Sequence, residues 1–253
     1  MMADGSDSAT LKQVNLLGKL RRGLQESGAR GLARRIVGAI GRVSADRYNA
    51  MEAHLFDTIH GTDTVGIIPM DKLDVSDEIA LHGTGYQCTN AWAFRTVLRA
   101  MSFPVDVGFV DIGSGKGKLL MLAAEYGFSR VVGLEISRDL CTVAETNLKR
   151  YRKRIKPEVE VEIIQADALA YPFKKDESVF CMFNPFDEVF LAQILQNIHA
   201  SLKAHPRAGW FLYVNPQHRM LIDEHPAFTL AKEFRFVGKT RTIVVYFAPP
   251  VKA

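Results

Sequence analysis

Between Val107 and Asn215 short apolar runs alternate with longer amphipathic segments, and this alternation limits the fold more than any other feature of the chain. The apolar runs predict strands over Val107–Ile112, Arg130–Ile136, Val159–Ala166, Ser178–Asn184 and Gly209–Asn215. The segments between them predict helices over Lys116–Tyr126, Arg138–Tyr151 and Asp187–Lys203. Strands and helices that alternate through short connections build a parallel sheet with right-handed crossovers. Such a sheet binds its ligands beyond the carboxyl ends of the strands. After Asn215 the pattern changes. Phe228–Val237 and Arg241–Ala248 read as two strands joined by a short turn containing Gly238, so they are expected to pair antiparallel. The expected fold class is α/β: a doubly wound, mostly parallel sheet that ends in an antiparallel hairpin.

The chain before this region reads differently. Leu11, Val14, Leu17 and Leu20 form one helical stripe, and Leu32, Ile36 and Ile40 continue one. Nine Lys or Arg lie from Lys12 to Arg47 against Glu26 and Asp46. A solvated face of a helical extension is expected ahead of a grip on an acidic partner or a membrane surface. From Gly61 to Tyr86 glycines and Pro69 mark loops, and Thr89–Met101 predicts a helix with Trp92, Val97 and Leu98 among its apolar residues. Residues 1–85 are therefore expected to form a helical and loop extension with a lid, and residues 86–253 the ligand-binding domain.

Composition removes several classes. With 253 residues, 47% hydrophobic and 24% charged, the chain is neither disordered nor a disulfide-held miniprotein. No run of 18 apolar residues is present, so no membrane span is expected. Cys88, Cys141 and Cys181 are far apart and odd in number, which fits a reducing compartment. Asp4 and Asp7 oppose a transit peptide and no apolar core follows, so a cytoplasmic protein is expected. The seven histidines show no H-x-x-x-H spacing and no pairing with cysteine, so no metal site is expected.

The first strand runs into Asp111-Ile112-Gly113-Ser114-Gly115-Lys116-Gly117-Lys118. Three alternate glycines let the backbone turn sharply and approach a ligand. A dinucleotide loop would need a glycine where Lys118 stands, and a P-loop would need Ser or Thr where Leu119 stands. The pattern D-x-G-x-G-x-G fits at every fixed position. The next strand ends at Glu135, 24 residues after Asp111, where a carboxylate can accept both hydroxyls of a ribose. The third strand ends in Asp167-Ala168 and the fourth in Asn184-Pro185-Phe186. Four consecutive strands thus deliver a polar residue to one sheet edge.

This ordered set resembles the class I, seven-stranded S-adenosylmethionine-dependent methyltransferases, over roughly Tyr86 to Ala248. The terminal hairpin is similar too, because in that family a reversed last strand inserts beside the fifth. The resemblance implies S-adenosyl-L-methionine as cofactor. It implies that Gly113, Ser114, Gly115 and Gly117 pass under the methionine and ribose, so that a side chain at Gly115 would fill cofactor space. Asp111 would then bind the methionine ammonium, Glu135 the ribose hydroxyls, and Asp167 with Ala168 the adenine. Tyr86 and Thr89 would complete the methionine pocket, and Asn184 would face the methyl group. Asn184, Pro185 and Phe186 are the expected catalytic residues. They resemble the Asn-Pro-Pro-aromatic signature of nitrogen methyltransferases, but the second proline is absent and the aromatic comes one place early. A nitrogen acceptor on a protein side chain or small molecule is expected ahead of nucleic acid. The basic run Lys149–Lys156 closes a helix at the opposite sheet edge, where positive charge is favourable in itself. A nicotinamide oxidoreductase and a catalytically silent cofactor-binding module are the rival readings. Oligomeric state is left open.

Overall fold

The computed structural model describes residues 47–184, 186–236 and 242–251. The predicted apolar stripes between Leu11 and Ile40 lie outside these, as do Pro185 and the hairpin turn with Gly238. The chain divides into two compact units, Met1–Arg47 and Tyr48–Ala253, and the account below concerns the second.

Residues 47–60 are helical (α1), followed by a two-residue strand β1 (Ile67–Ile68), a short helix α2 (Asp77–His82) and β2 (Tyr86–Gln87). Helix α3 (Ala91–Met101) leads into β3 (Gly108–Ile112), α4 (Lys118–Tyr126), β4 (Arg130–Glu135) and α5 (Arg138–Tyr151). Then come β5 (Glu160–Gln165), β6 (Glu177–Met182), α6 (Glu188–Ala204), β7 (Gly209–Val214), α7 (Met220–Asp223), β8 (Thr229–Arg235) and β9 (Thr242–Ala248). The main sheet has seven strands in the order β5-β4-β3-β6-β7-β9-β8. Pairings from β5 to β7 are parallel, and β9 runs antiparallel to both β7 and β8. This is the expected doubly wound sheet with its reversed C-terminal pair.

The strand sequences explain their places. All five residues of β3 and all six of β6 are buried, as a central strand covered on both faces requires. Alternate residues of β3 serve opposite layers. Phe109 packs with Phe94, Leu120 and Phe128, whereas Val110 and Ile112 pack with Ile194, Leu195 and Phe211. β5 at one edge is charged at Glu160 and Glu162, which discourages pairing with another chain.

Side-chain caps set where the helices start. Asn90 accepts from Ala93 N at 2.9 Å, Ser137 accepts from Leu140 N at 3.2 Å, and Asp187 accepts from the N–H groups of Val189 and Phe190. Hence α3 begins at Ala91 rather than Thr89, and α6 at Glu188 rather than Asp187. Gly117 takes φ 80° and delays α4 until Lys118. Trp92, one of the apolar residues of the predicted helix, lies off its buried face. The buried face of α3 is Ala91, Phe94, Val97 and Leu98, spaced as one helical stripe, which turns Trp92 outward to 58% exposure against the edge of Phe236.

Residues 61–89 cross the carboxyl edge of the sheet, where β1 and β2 pair antiparallel through Ile67↔Gln87 and Ile68↔Tyr86. Among the described residues no helix is long and apolar enough to cross a membrane.

Candidate active site

A cleft opens at the carboxyl edge, floored by the glycine loop and roofed by the crossing segment. Its walls include Tyr86, Thr89, Asp111, Gly113, Ser114 and Gly115. Glu135, Asp167, Ala168 and Phe186 complete the predicted residues that line it. Gly117 lies behind the wall instead. A side chain there would meet Cβ of Ala144 at 3.0 Å, so this glycine lets α5 approach the loop. Asn184 lines an adjoining cavity rather than this cleft.

The three acids have different surroundings. Asp111 is 2% exposed, and among the described residues nothing donates a hydrogen bond to its carboxylate. Burial pushes its pKa well above the ordinary 3.8, and the nearby Glu135 charge adds to the rise. Glu135 accepts from Gly115 N at 2.8 Å and from Ser137 N at 2.9 Å, so it ties the glycine loop to the start of α5. Burial raises its pKa, while those backbone donors pull it back. Asp167 accepts from Leu169 N at 2.8 Å and holds its turn open toward the cleft. Ser114 Oγ is buried with no hydrogen-bond partner among the described residues.

Tyr86 bolts the roof to the floor. Its hydroxyl donates to the Thr64 carbonyl at 2.5 Å, and its ring covers Gly115. A Cβ at Gly115 would stand 2.5 Å from that ring, and the residue has φ 52°. The first obstacle to a side chain at Gly115 is therefore Tyr86 of the protein itself. Two lysines of the loop tie it to the chain before it, Lys116 to the roof and Lys118 to α1. Lys116 Nζ donates to Asp63 Oδ1 at 2.9 Å and to the Val65 carbonyl at 3.1 Å. Lys118 is 3% exposed, pairs with Glu52 Oε2 at 3.4 Å and lies 4.6 Å from the centre of the Phe56 ring. Sequence reading used Lys118 only to reject a dinucleotide loop and missed this role. Further along the roof, His82 Nδ1 lies 2.6 Å from Asp187 Oδ2, and Asp74 accepts from Ser137 Oγ.

The adjoining cavity measures about 290 Å³ and shares Thr84–Gln87 and Phe183 with the cleft. Asn184 is 4% exposed with φ 37°. Its Oδ1 accepts from the Tyr213 hydroxyl at 2.6 Å and its main-chain oxygen from Thr84 Oγ1 at 2.8 Å. Asn215 and Gln217, just past β7, line the same cavity; Asn215 ends the fifth predicted strand but was not singled out, and Gln217 carried no signal in the sequence pattern.

Residues 109–205 match the family model described as a methyltransferase domain. That stretch contains the glycine loop, Glu135, Asp167 and Asn184. With the seven-strand order around it, this stretch is similar to a methyltransferase domain. The chain is also similar to solved structures. One is a putative RNA methyltransferase from Pyrococcus horikoshii, at 14% identity and TM-score 0.49, covering 73% of this chain and 94% of that one. A second is an RNA methyltransferase from Salinibacter ruber in complex with S-adenosyl-L-homocysteine, at 18% identity and TM-score 0.47, covering 66% and 97%. A third is the magnesium protoporphyrin IX methyltransferase from Synechocystis PCC 6803, at 12% identity and TM-score 0.49, covering 64% and 78%. No curated protein matches this chain in sequence.

Proposed function

We propose that the cleft holds S-adenosylmethionine across Asp111, Glu135 and Asp167, and that the methyl acceptor is a nitrogen compound seated in the cavity beside Asn184. The observation that carries this reading is Asp111, a carboxylate only 2% exposed at the mouth of a glycine loop, to which no described residue donates a hydrogen bond. A buried acid in that state favours an incoming cation, and the cofactor's methionine ammonium is one. The other donors fit as well. Ser114 Oγ has an unused hydrogen bond, the loop has no side chains at Gly113 and Gly115, and Glu135 keeps lone pairs free for two vicinal hydroxyls.

The bound cofactor supplies a methyl group on a sulfonium, already activated for displacement. The protein then needs chiefly to align the acceptor, an orientation effect worth up to ~7–11 kcal/mol. Asn184 serves that alignment: each of its two carbonyl oxygens keeps one lone pair after bonding Tyr213 and Thr84, enough to accept from an acceptor N–H. Phe186 flanks the acceptor from the cleft side. Of the extension expected over residues 1–85, the described part from residue 61 on acts as a lid to the domain of residues 86–253. A protein side chain or small molecule is favoured over nucleic acid. The basic run Lys149–Lys156 follows α5 to the amino edge of the sheet and makes no track to the cleft.

Calorimetry with S-adenosylmethionine, its demethylated product and NAD tests the cofactor assignment. Binding of the first two and not of NAD is expected, and Asp111→Ala is expected to weaken both by roughly 1.5–3 kcal/mol, the cost of a lost charged hydrogen bond. Unchanged affinity in Asp111→Ala removes Asp111 from the site. Labelled donor incubated with cell extract, then fractionated, identifies the acceptor class.

A further inference from the structure

The cavity beside Asn184 has an unusual lining. Four carboxamides face it, Gln87, Asn184, Asn215 and Gln217, and among the described residues that line it no side chain carries a formal charge. Apart from Thr84, whose hydroxyl donates to the Asn184 main-chain oxygen, its other side chains are apolar or aromatic, Ile67, Ile68, Pro69 and Phe183 among them. The one titratable group, the Tyr86 phenol, is committed to the Thr64 carbonyl.

Two of the carboxamides sit on backbone that an ordinary side chain avoids. Asn184 has φ 37° and Asn215 φ 51°, at the ends of the neighbouring parallel strands β6 and β7. Glycine is the easier residue at such positions, and Asn is tolerated there. Side chains retained at both ends, each lining one cavity, match the way strained residues gather at binding sites. The edge Asn184 presents is fixed as well. The Tyr213 hydroxyl donates to Oδ1 at 2.6 Å, which sets the oxygen of the carboxamide toward Tyr213. Among the described residues Nδ2 of Asn184 has no partner. Asn184 therefore offers the cavity an N–H donor beside a remaining Oδ1 lone pair.

An amide edge is the complement of a donor set beside an acceptor, the pairing by which Asn and Gln read planar amide and ring groups bidentately. A protonated amine would enter without a carboxylate partner and close to a sulfonium of the same sign, at a heavy desolvation cost. A carboxylate would lose its hydration there with no Lys or Arg among the described lining residues to balance its charge. We propose that the cavity recognises an uncharged planar acceptor with an amide-type edge, a carboxamide or a lactam-like nitrogen heterocycle of small-molecule size, and not an ammonium or a carboxylate. This deepens the proposed function and rests on it.

Three probes of one shape and different charge test it: benzamide, benzylammonium and benzoate, titrated into the full chain saturated with S-adenosylhomocysteine. Benzamide is expected to bind about tenfold more tightly than either charged probe, the worth of one well-made hydrogen bond. Asn215→Gly, which suits φ 51°, is expected to keep the melting temperature and lose about fivefold in benzamide affinity, with product affinity unchanged. Gln217→Ala, at an exposed position, gives a second variant that leaves folding untouched. Benzylammonium or benzoate binding as tightly as benzamide overturns the proposal, as does a benzamide preference that survives both substitutions or the absence of binding by all three probes. Failure of S-adenosylhomocysteine itself to bind would instead strike the cofactor reading.

Discussion

Asp111 combines a cost to the free protein with the use proposed for it in the complex. Its pKa is raised in the folded state above the ordinary 3.8, so the folded protein holds a proton that the unfolded chain has released. The stability contributed by this group is present below 3.8 and is lost as pH rises through the raised value. Asp111→Asn is always neutral, so it is expected to melt higher than wild type at neutral pH and alike at low pH, while losing cofactor affinity. Binding by the wild type should weaken as pH falls through the raised pKa, because the ammonium needs the ionised form, and Asp111→Asn should lack that dependence. Calorimetry and melting curves across pH check both signs. A variant that melts lower at neutral pH would show that Asp111 has a structural partner. The identity of this residue was legible in the sequence because strand alternation and D-x-G-x-G-x-G place it by local spacing alone. Tyr213, Asn215 and Gln217 were not, because only the parallel pairing of β6 with β7 brings them to Asn184.

At the scale of elements, the helices and strands were legible because hydrophobic period marks them, and their ends were not, because a capping side chain decides each start. The roof was the least legible part. Residues 61–89 carry little periodicity, and what holds them is a set of distant partners: Lys116 with Asp63, Ser137 with Asp74, Asp187 with His82. The Lys118–Glu52 pair, which ties α4 to α1, is more enclosed than the ion pairs among these, at 3% and 15% side-chain exposure. Removing one partner of a buried pair strands the other charge. Glu52→Ala is therefore expected to lose about 3 kcal/mol in urea unfolding, and adding Lys118→Met to recover most of it, since a well-packed apolar pair can replace a buried ion pair. Glu52 Oε1 also accepts from Ala91 N at 3.1 Å, so α3 should fray in the single variant. Equal stability of the single variant and wild type would mean that water already reaches Lys118.

Across the whole molecule, the sheet depends on its reversed strand. β9 pairs with β7 from Gly209↔Ala248 to Val214↔Ile243 and with β8 on its other side. Ile243, Val244, Val245 and Tyr246 are fully buried, two in each layer of the core. Val245→Asp would bury an unpaired carboxylate, and it is expected to abolish cooperative unfolding at 25 °C, read by circular dichroism and urea titration. A soluble, cooperatively folding variant would show that the cofactor half of the sheet stands without β9. That dependence was visible in outline from sequence, since two adjacent apolar strands with a glycine turn imply a hairpin. Where the hairpin inserts came only from the family resemblance, because nothing in local spacing selects β7 as the neighbour of β9.

The insertion of β9 between β7 and β8 also fixes an order of events during synthesis. Every residue of the cofactor cleft lies before residue 187, so the cleft's sequence leaves the ribosome long before residues 242–248. Until they emerge, β7 waits with an open edge, and β8 has no partner at all. The nascent chain therefore carries an unpaired, apolar strand edge for the time taken to translate some thirty codons, a few seconds at ~5–20 residues per second. Strand addition from another chain competes with β9 in that interval, which makes ribosome-bound chaperones and slow translation after Val214 determinants of yield in a way the finished enzyme does not reveal.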